Sequence, residues 1–177
     1  MLLLVLSFAL LQLTVQTAGT CIPFPVYVKK LASCCNLITA NTDGIPEKCF
    51  DLYPTVTAEQ STAEFLKGLT CFFECLDEAK QVTNNKEILM DNVKTMAQSL
   101  AVNVRDKFVQ SYEDCKSGVG DFTTYFQSLQ PSCQSFAMEL EFCATAALQK
   151  RCPNEDFQTD DNECQQIKQG AMPCAFT

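Results

Sequence analysis

Twelve cysteines in 177 residues constrain this chain more tightly than any other feature. All lie beyond residue 20, at positions 21, 34, 35, 49, 71, 75, 115, 133, 143, 152, 164 and 174. An even number at this density is the mark of an oxidising compartment and implies up to six disulfides. A zinc or iron-sulfur cluster is not expected, because CxxC pairs are missing and the chain has no histidine. Spacing alone leaves the connectivity open, since twelve cysteines allow about ten thousand pairings. Cys34 and Cys35 are neighbours, and a bond between neighbours fits the preferred Cα separation badly. Each is expected to reach elsewhere.

The N-terminus agrees with that compartment. Residues 1–18 (MLLLVLSFALLQLTVQTA) carry no charged side chain and hold a Leu-rich block that leads into small residues at Thr17, Ala18 and Gly19. The block is too short to span about 30 Å of hydrocarbon and reads as a secretory signal peptide cleaved after Ala18 or Gly19. Its n-region lacks Lys and Arg. No later stretch approaches the roughly 18 apolar residues of a membrane span. A secreted, extracellular chain with a single domain over 19–177 is expected.

Composition removes whole classes of function. Thirteen basic against 21 acidic residues give a net charge of -8, which disfavours nucleic acid as a partner. Without histidine there is no Ser-His-Asp or Cys-His nucleophile and no His-bound metal. Tryptophan is absent as well, so any aromatic contact with a ligand falls to thirteen Phe and four Tyr. Hydrophobic residues make up 47% of the chain, enough for a packed core. No Asn-x-Ser/Thr sequon occurs, so N-glycosylation is not expected.

Past residue 18 the pattern has three parts. Residues 19–54 hold Pro23, Pro25, Pro46, Pro54 and Gly44 and read as an irregular cysteine-stapled arm, with a short helix around Tyr27 to Cys34. Residues 55–152 are helical. Ser61 with Glu64 forms a capping box before Phe65, Leu66, Leu69, Phe72, Phe73, Leu76 and Ala79. Gly68 inside that run suggests close approach by another backbone, and Cys71 and Cys75 fall on one helical face. Asn84 with Glu87 reads as a second helix start, before Ile88, Leu89, Val93, Met96 and Leu100. Val104, Phe108, Val109, Tyr112 and Cys115 mark a third helix, ended by Gly118 and Gly120. Asp121 caps a short helix with Phe122, Tyr125 and Phe126. Pro131 suits the first turn of the last, where Phe136, Leu140, Cys143 and Ala147 recur. Residues 153–177 form an acidic tail that Cys164 and Cys174 tie back onto the body.

The run Cys71-x3-Cys75-x39-Cys115-x17-Cys133-x9-Cys143-x8-Cys152-Pro153 resembles the cysteine frame of insect odorant-binding proteins, and more narrowly of their Plus-C subgroup. The resemblance covers nearly all of the chain past the signal, including the Cys34-Cys35 doublet and the C-terminal pair. It implies an all-α bundle of about six helices around an apolar cavity, with odorants or pheromones as ligands and no catalysis. It also implies the pairs Cys71–Cys143 and Cys115–Cys152, with Cys75 joined to the first core cysteine, either Cys49 or Cys35. The remaining cysteines would form accessory bridges, with Cys21, Cys133, Cys164 and Cys174 among them and their pattern open. No cofactor is implied. A small hydrophobic ligand is the expected partner, with an olfactory receptor or a second copy of the chain as protein partners to consider.

A cross-linked frame suits a hollow carrier. A pocket of about 300 Å³ at about 24 cal/mol per Å³ costs roughly 7 kcal/mol when empty, and one long-range bridge offsets roughly 4 kcal/mol of that. Phe72, Phe73, Leu76, Leu89, Met96, Phe108, Tyr112, Phe122, Phe126, Phe136 and Leu140 are the candidate lining, although ordinary core packing needs the same buried faces. Tyr112 or Tyr125 would give a ligand oxygen its hydrogen bond, and Met90, Met96 and Met138 would let the wall adapt. With no histidine, any pH response must come from carboxylates, at low pH unless burial raises their pKa. The alternative reading is a secreted cysteine-rich interaction protein, a toxin, immune, salivary or seminal factor using an exposed surface. An enzyme acting through carboxylates such as Asp160 and Asp161 is the third class, and it is disfavoured by their polar setting.

Overall fold

A computed structural model describes residues 21–35, 46–54, 62–119, 123 and 126–174. The expected signal peptide, Ser61 of the expected capping box, Gly120, Asp121, Phe122 and Tyr125 lie outside these residues. Seven helices are present among the described residues: α1 Phe24–Ser33, α2 Glu47–Phe50, α3 Thr62–Lys80, α4 Met90–Ala97, α5 Val102–Gly118, α6 Phe136–Lys150 and α7 Asn162–Lys168. Thr123 and Phe126–Gln127 are helical too, and Asn154–Asp156 makes one 3-10 turn.

Local chemistry sets most boundaries. Proline occupies the first turn of α1, where its missing N–H costs nothing, so the helix starts three residues ahead of its expected position. The start signal at Asn84 and Glu87 is overturned. These residues face each other across an antiparallel hairpin, β1 Thr83–Asn84 with β2 Glu87–Ile88. Asn85 and Lys86 between them have φ of 49° and 68°, the left-handed pair of a turn whose twist matches its strands. The backbone N–H of Thr83 also donates to Asp77 Oδ1 at 2.9 Å, anchoring the hairpin to the end of α3. Helix α4 therefore starts only at Met90.

Two further expectations change. At Gly68 the close approach is made by the Pro54 ring, and a Cβ there would stand 2.9 Å from Pro54 Cβ. Pro131 is not in the first turn of α6, which begins at Phe136. The intervening segment 131–135 is bent instead, and it carries Cys133 across to α3.

Helix α6 is the centre of the molecule and packs against α1, α3, α5 and α7. Its sequence, FAMELEFCATAALQK, is apolar on nearly every side, which is the pattern of a helix surrounded by others. It divides the core in two. Met138 and Phe142 join Ile22, Phe24, Tyr27, Leu31, Leu66, Leu69, Phe126, Phe157 and Ile167 in a first cluster. Leu140, Ala144 and Ala147 join Val82, Val93, Tyr112 and Val119 in a second. Cys143 touches both. The short helix of the N-terminal arm is part of the core: α1 places Phe24, Tyr27 and Leu31, spaced three and four apart, in the first cluster.

All twelve cysteines are paired. The pairs are Cys49–Cys75, Cys71–Cys133, Cys115–Cys143, Cys35–Cys152, Cys34–Cys164 and Cys21–Cys174. Cys49–Cys75 is as expected, and the Cys34-Cys35 doublet reaches two separate partners. The expected Cys71–Cys143 and Cys115–Cys152 do not form. Cys71 takes Cys133 in the bent segment before α6, Cys115 on α5 meets Cys143 on α6, and Cys152 just beyond α6 falls beside Cys35 at the end of α1. The interlaced order (first with third, second with fifth, fourth with sixth) survives when the six are counted as Cys49, Cys71, Cys75, Cys115, Cys133 and Cys143. The expected frame was displaced by one cysteine.

The other three bridges all join residues 21–35 to residues 152–174. Backbone pairing reinforces them: Ile22 N–H donates to Met172 O at 3.1 Å, Cys174 N–H to Ile22 O at 2.8 Å, and Gln158 N–H to Cys34 O at 2.9 Å. Asp161 caps α7 by accepting from Cys164 N–H at 2.9 Å and also pairs with Lys30 of α1. The acidic tail is tied back, and α1 is what it is tied to.

Candidate functional site

The expected lining residues fall on both sides of α6. Phe126 is fully buried in the first cluster, with Phe72 and Phe73 packed against it. Tyr112 and Leu140 are buried in the second, with Met96, Phe108 and Phe136 packed against them. Leu76 and Leu89 are half-buried and belong to neither, and Phe122 lies outside the described residues. Of the three methionines, Met138 is fully buried in the first cluster, and Met90 and Met96 flank the second.

An aromatic ladder crosses the first cluster. Tyr53, 50% exposed, meets Phe72 edge-on at 5.2 Å between ring centroids. Phe72 meets Phe73 at 5.4 Å, and Phe73 meets Phe142 at 6.4 Å. Phe142 then stacks on Phe24 at 5.8 Å and touches Phe126 at 5.4 Å. Each such pair contributes about 0.5–1.5 kcal/mol beyond its buried area. The ladder thus runs from a surface ring to the buried rings of Phe24, Phe126 and Phe142. Sequence reasoning found Phe72, Phe73 and Phe126 and missed Phe24 and Phe142. Phe142 escaped because the row 136, 140, 143, 147 follows one face of α6, while 138, 142, 146 and 149 make a second.

Polar groups inside the bundle are few and mostly satisfied. Tyr112 Oη donates to Glu141 Oε1 at 2.5 Å, so its hydroxyl is committed within the protein rather than offered to a ligand. Burial pushes the Tyr112 phenol well up, and the neighbouring Glu141 adds to the shift. Burial likewise raises the Glu141 carboxyl; the Tyr112 hydrogen bond and Lys80 pull the other way, while Asp77 adds to the rise. Glu139, almost wholly buried, accepts from Ser135 Oγ and Thr123 Oγ1 at 2.6 Å each. Tyr27 in the first cluster is also pushed up by burial.

Among the described residues, one buried side-chain polar atom has no partner. Gln149 is fully buried on α6, and its Nε2 donates to Leu31 O of α1 at 2.6 Å, but its Oε1 accepts nothing. Such an orphan costs about 1–3 kcal/mol. No pattern in the sequence singles out this glutamine.

The remaining expectations are quickly placed. Asp161 is occupied by its capping and ion-pair duties, and Lys30 with the Cys164 N–H holds its carboxyl below the usual range. Among the described residues no group of three His, Cys, Asp or Glu could hold a metal ion, and no helix is long and apolar enough to cross a membrane. Three large hydrophobic side chains, Phe50, Leu52 and Tyr53, stand exposed within four residues around the end of α2. No family model, curated protein or solved structure matches the chain.

Proposed function

We propose that this chain is a secreted carrier of small hydrophobic molecules of the odorant or pheromone kind, built like the insect odorant-binding proteins and without catalytic chemistry. The single observation that carries this reading is the interlaced pairing Cys49–Cys75, Cys71–Cys133 and Cys115–Cys143. It locks α3, α5 and α6 around apolar side chains in an interlaced order, one cysteine away from the pairs that the resemblance implies. Bridges of this span stabilise by constraining the unfolded chain, about 4 kcal/mol for the loop between Cys71 and Cys133, and so let a bundle tolerate an interior that parts for a guest. The ladder from Tyr53 to Phe142 supports an apolar ligand, because rings offer contact area and few polar demands.

The test is titration of the oxidised protein with N-phenyl-naphthylamine, followed by displacement with terpenoids, aromatics and long-chain alcohols. Saturable uptake and graded displacement are the expected result; no uptake overturns the carrier reading. The exposed trio Phe50, Leu52 and Tyr53 favours a second reading, a secreted interaction protein that docks through this surface. That reading gains if the oxidised protein takes up no probe and if replacing the trio abolishes its binding to a partner protein.

A further inference from the structure

The orphaned oxygen of Gln149 stands in a particular place. Helices α1 and α6 run parallel, since Phe24 stacks on Phe142 and, seven residues further along each helix, Leu31 O receives the Gln149 amide. Seven residues at 1.5 Å rise separate the two contacts by about 10 Å. On α6 the row of Met138, Phe142 and Ala146 leads to Gln149 and then to Cys152, and the other four all belong to the first apolar cluster or pack against it. Gln149 is the one polar side chain in that row.

The orientation of the amide is fixed by chemistry. Leu31 O is an acceptor, so the end of Gln149 that meets it must be the N–H2 end. Turning the amide over would set two acceptors against each other. The Oε1 end is therefore left without a donor in an apolar row. The side chains one turn away in that row, Ala146 and the bridged Cys152, offer it no donor.

We propose that Gln149 Oε1 accepts a hydrogen bond from the head of the ligand, which selects apolar molecules that carry a single donor, an alcohol or a phenol. The body of the guest lies along the Phe24, Phe126 and Phe142 rings, and Met138 shifts to admit it. Ethers, hydrocarbons and esters of the same shape leave the oxygen unpaired and bind less well. This rests on the carrier reading and adds to it the atom that discriminates.

The experiment is competition against bound N-phenyl-naphthylamine on the oxidised chain, using decanol with its methyl ether and naphthol with its methyl ether. The wild type is expected to prefer each donor by about five- to tenfold, the equivalent of one net hydrogen bond. Gln149→Met, close in volume, is expected to keep native helicity, to hold the probe somewhat less tightly because the probe's own N–H is a donor, and to lose the preference of alcohol over ether. Equal binding of alcohol and ether by the wild type, or a preference that persists in Gln149→Met, overturns the assignment while leaving the carrier intact. Absence of probe uptake by the wild type instead overturns the carrier reading and this assignment with it. Should Gln149→Met fail to fold, isotope-labelled wild type decides: its Gln149 side-chain amide resonance shifts on adding decanol and not on adding the ether. Decanol bound without that shift overturns the proposal.

Discussion

Tyr112 of α5 and Glu141 of α6 share a hydrogen bond of 2.5 Å across the busiest helix interface of the molecule, with the tyrosine 1% exposed. The carboxylate is held there by one hydroxyl, and burial raises its pKa. A raised pKa means that folding favours the protonated form. The unfolded chain loses this proton first, so stability is fully present below the ordinary glutamate value of about 4.3 and declines as pH rises through the higher folded value.

Glu141→Gln separates that contribution from the rest. The amide carbonyl still accepts from Tyr112 but never ionises. The variant is expected to gain stability relative to the wild type as pH rises from about 4 toward neutrality, with the gain levelling off above the folded pKa of Glu141. Urea melts at several pH values read the difference. A difference that stays flat, or that grows on acidification, contradicts a raised carboxyl at Glu141.

Asp161 responds with the opposite sign. Its carboxyl is lowered by Lys30 and by the Cys164 N–H, so its contribution is present above the ordinary aspartate value of about 3.9 and is lost as pH falls through the folded one. Asp161→Ala is expected to cost about 1 kcal/mol at neutral pH through loss of the α7 cap. Its deficit shrinks in acid. Thermal melts at neutral pH and near pH 3 check both parts.

Much of this architecture was legible, and the failures have definite causes. The helices of residues 62–80 and 102–118 follow from apolar residues at three-to-four spacing, whereas α1 starts ahead of its expected position because a proline that reads as a breaker also suits a first turn. Asn84 and Glu87 misled because a capping pair and a hairpin draw on the same polar residues; only Asn85 and Lys86, both at positive φ, decide between them. The bridges Cys71–Cys133 and Cys115–Cys143 were out of reach because spacing does not reveal that residues 131–135 bend back over α3. Of the site, the rings of α3 were visible as a helical face. Gln149 was not, since a buried glutamine looks like any solvated one until its neighbours are known.

The aromatic ladder should be graded in energy from surface to centre. Phe142→Ala removes a buried ring that contacts Phe24, Phe73 and Phe126 and is expected to cost about 3–5 kcal/mol. Phe50→Ala beside that surface end, where the ring is 44% exposed and lies 6.4 Å from Phe72, is expected to cost about 0.5 kcal/mol or less. Denaturant unfolding at neutral pH measures both. Equal costs for the two would mean that α6 is not the centre of the core.

The disulfide map admits the most direct check. Proteolysis of the unreduced protein in acid, where thiolate exchange is suppressed, is expected to release one linked peptide pair for Cys71–Cys133 and another for Cys115–Cys143. It should also link Cys35 to Cys152, and so join the end of α1 to the residue just past α6. Replacing Cys35 and Cys152 together by serine then unties only an accessory strap. Its closed loop of 117 residues gives an upper estimate of about 5 kcal/mol in the chain-entropy model. The measured cost should be smaller, because Cys34–Cys164 and Cys21–Cys174 already hold the same two segments together. Replacing Cys71 and Cys133 removes instead the bridge that fixes the bent segment on α3, for which no parallel bridge substitutes. The second double variant should therefore lose more stability than the first although its loop is shorter, an inversion of the loop-length rule that denaturant melts of the two proteins can read.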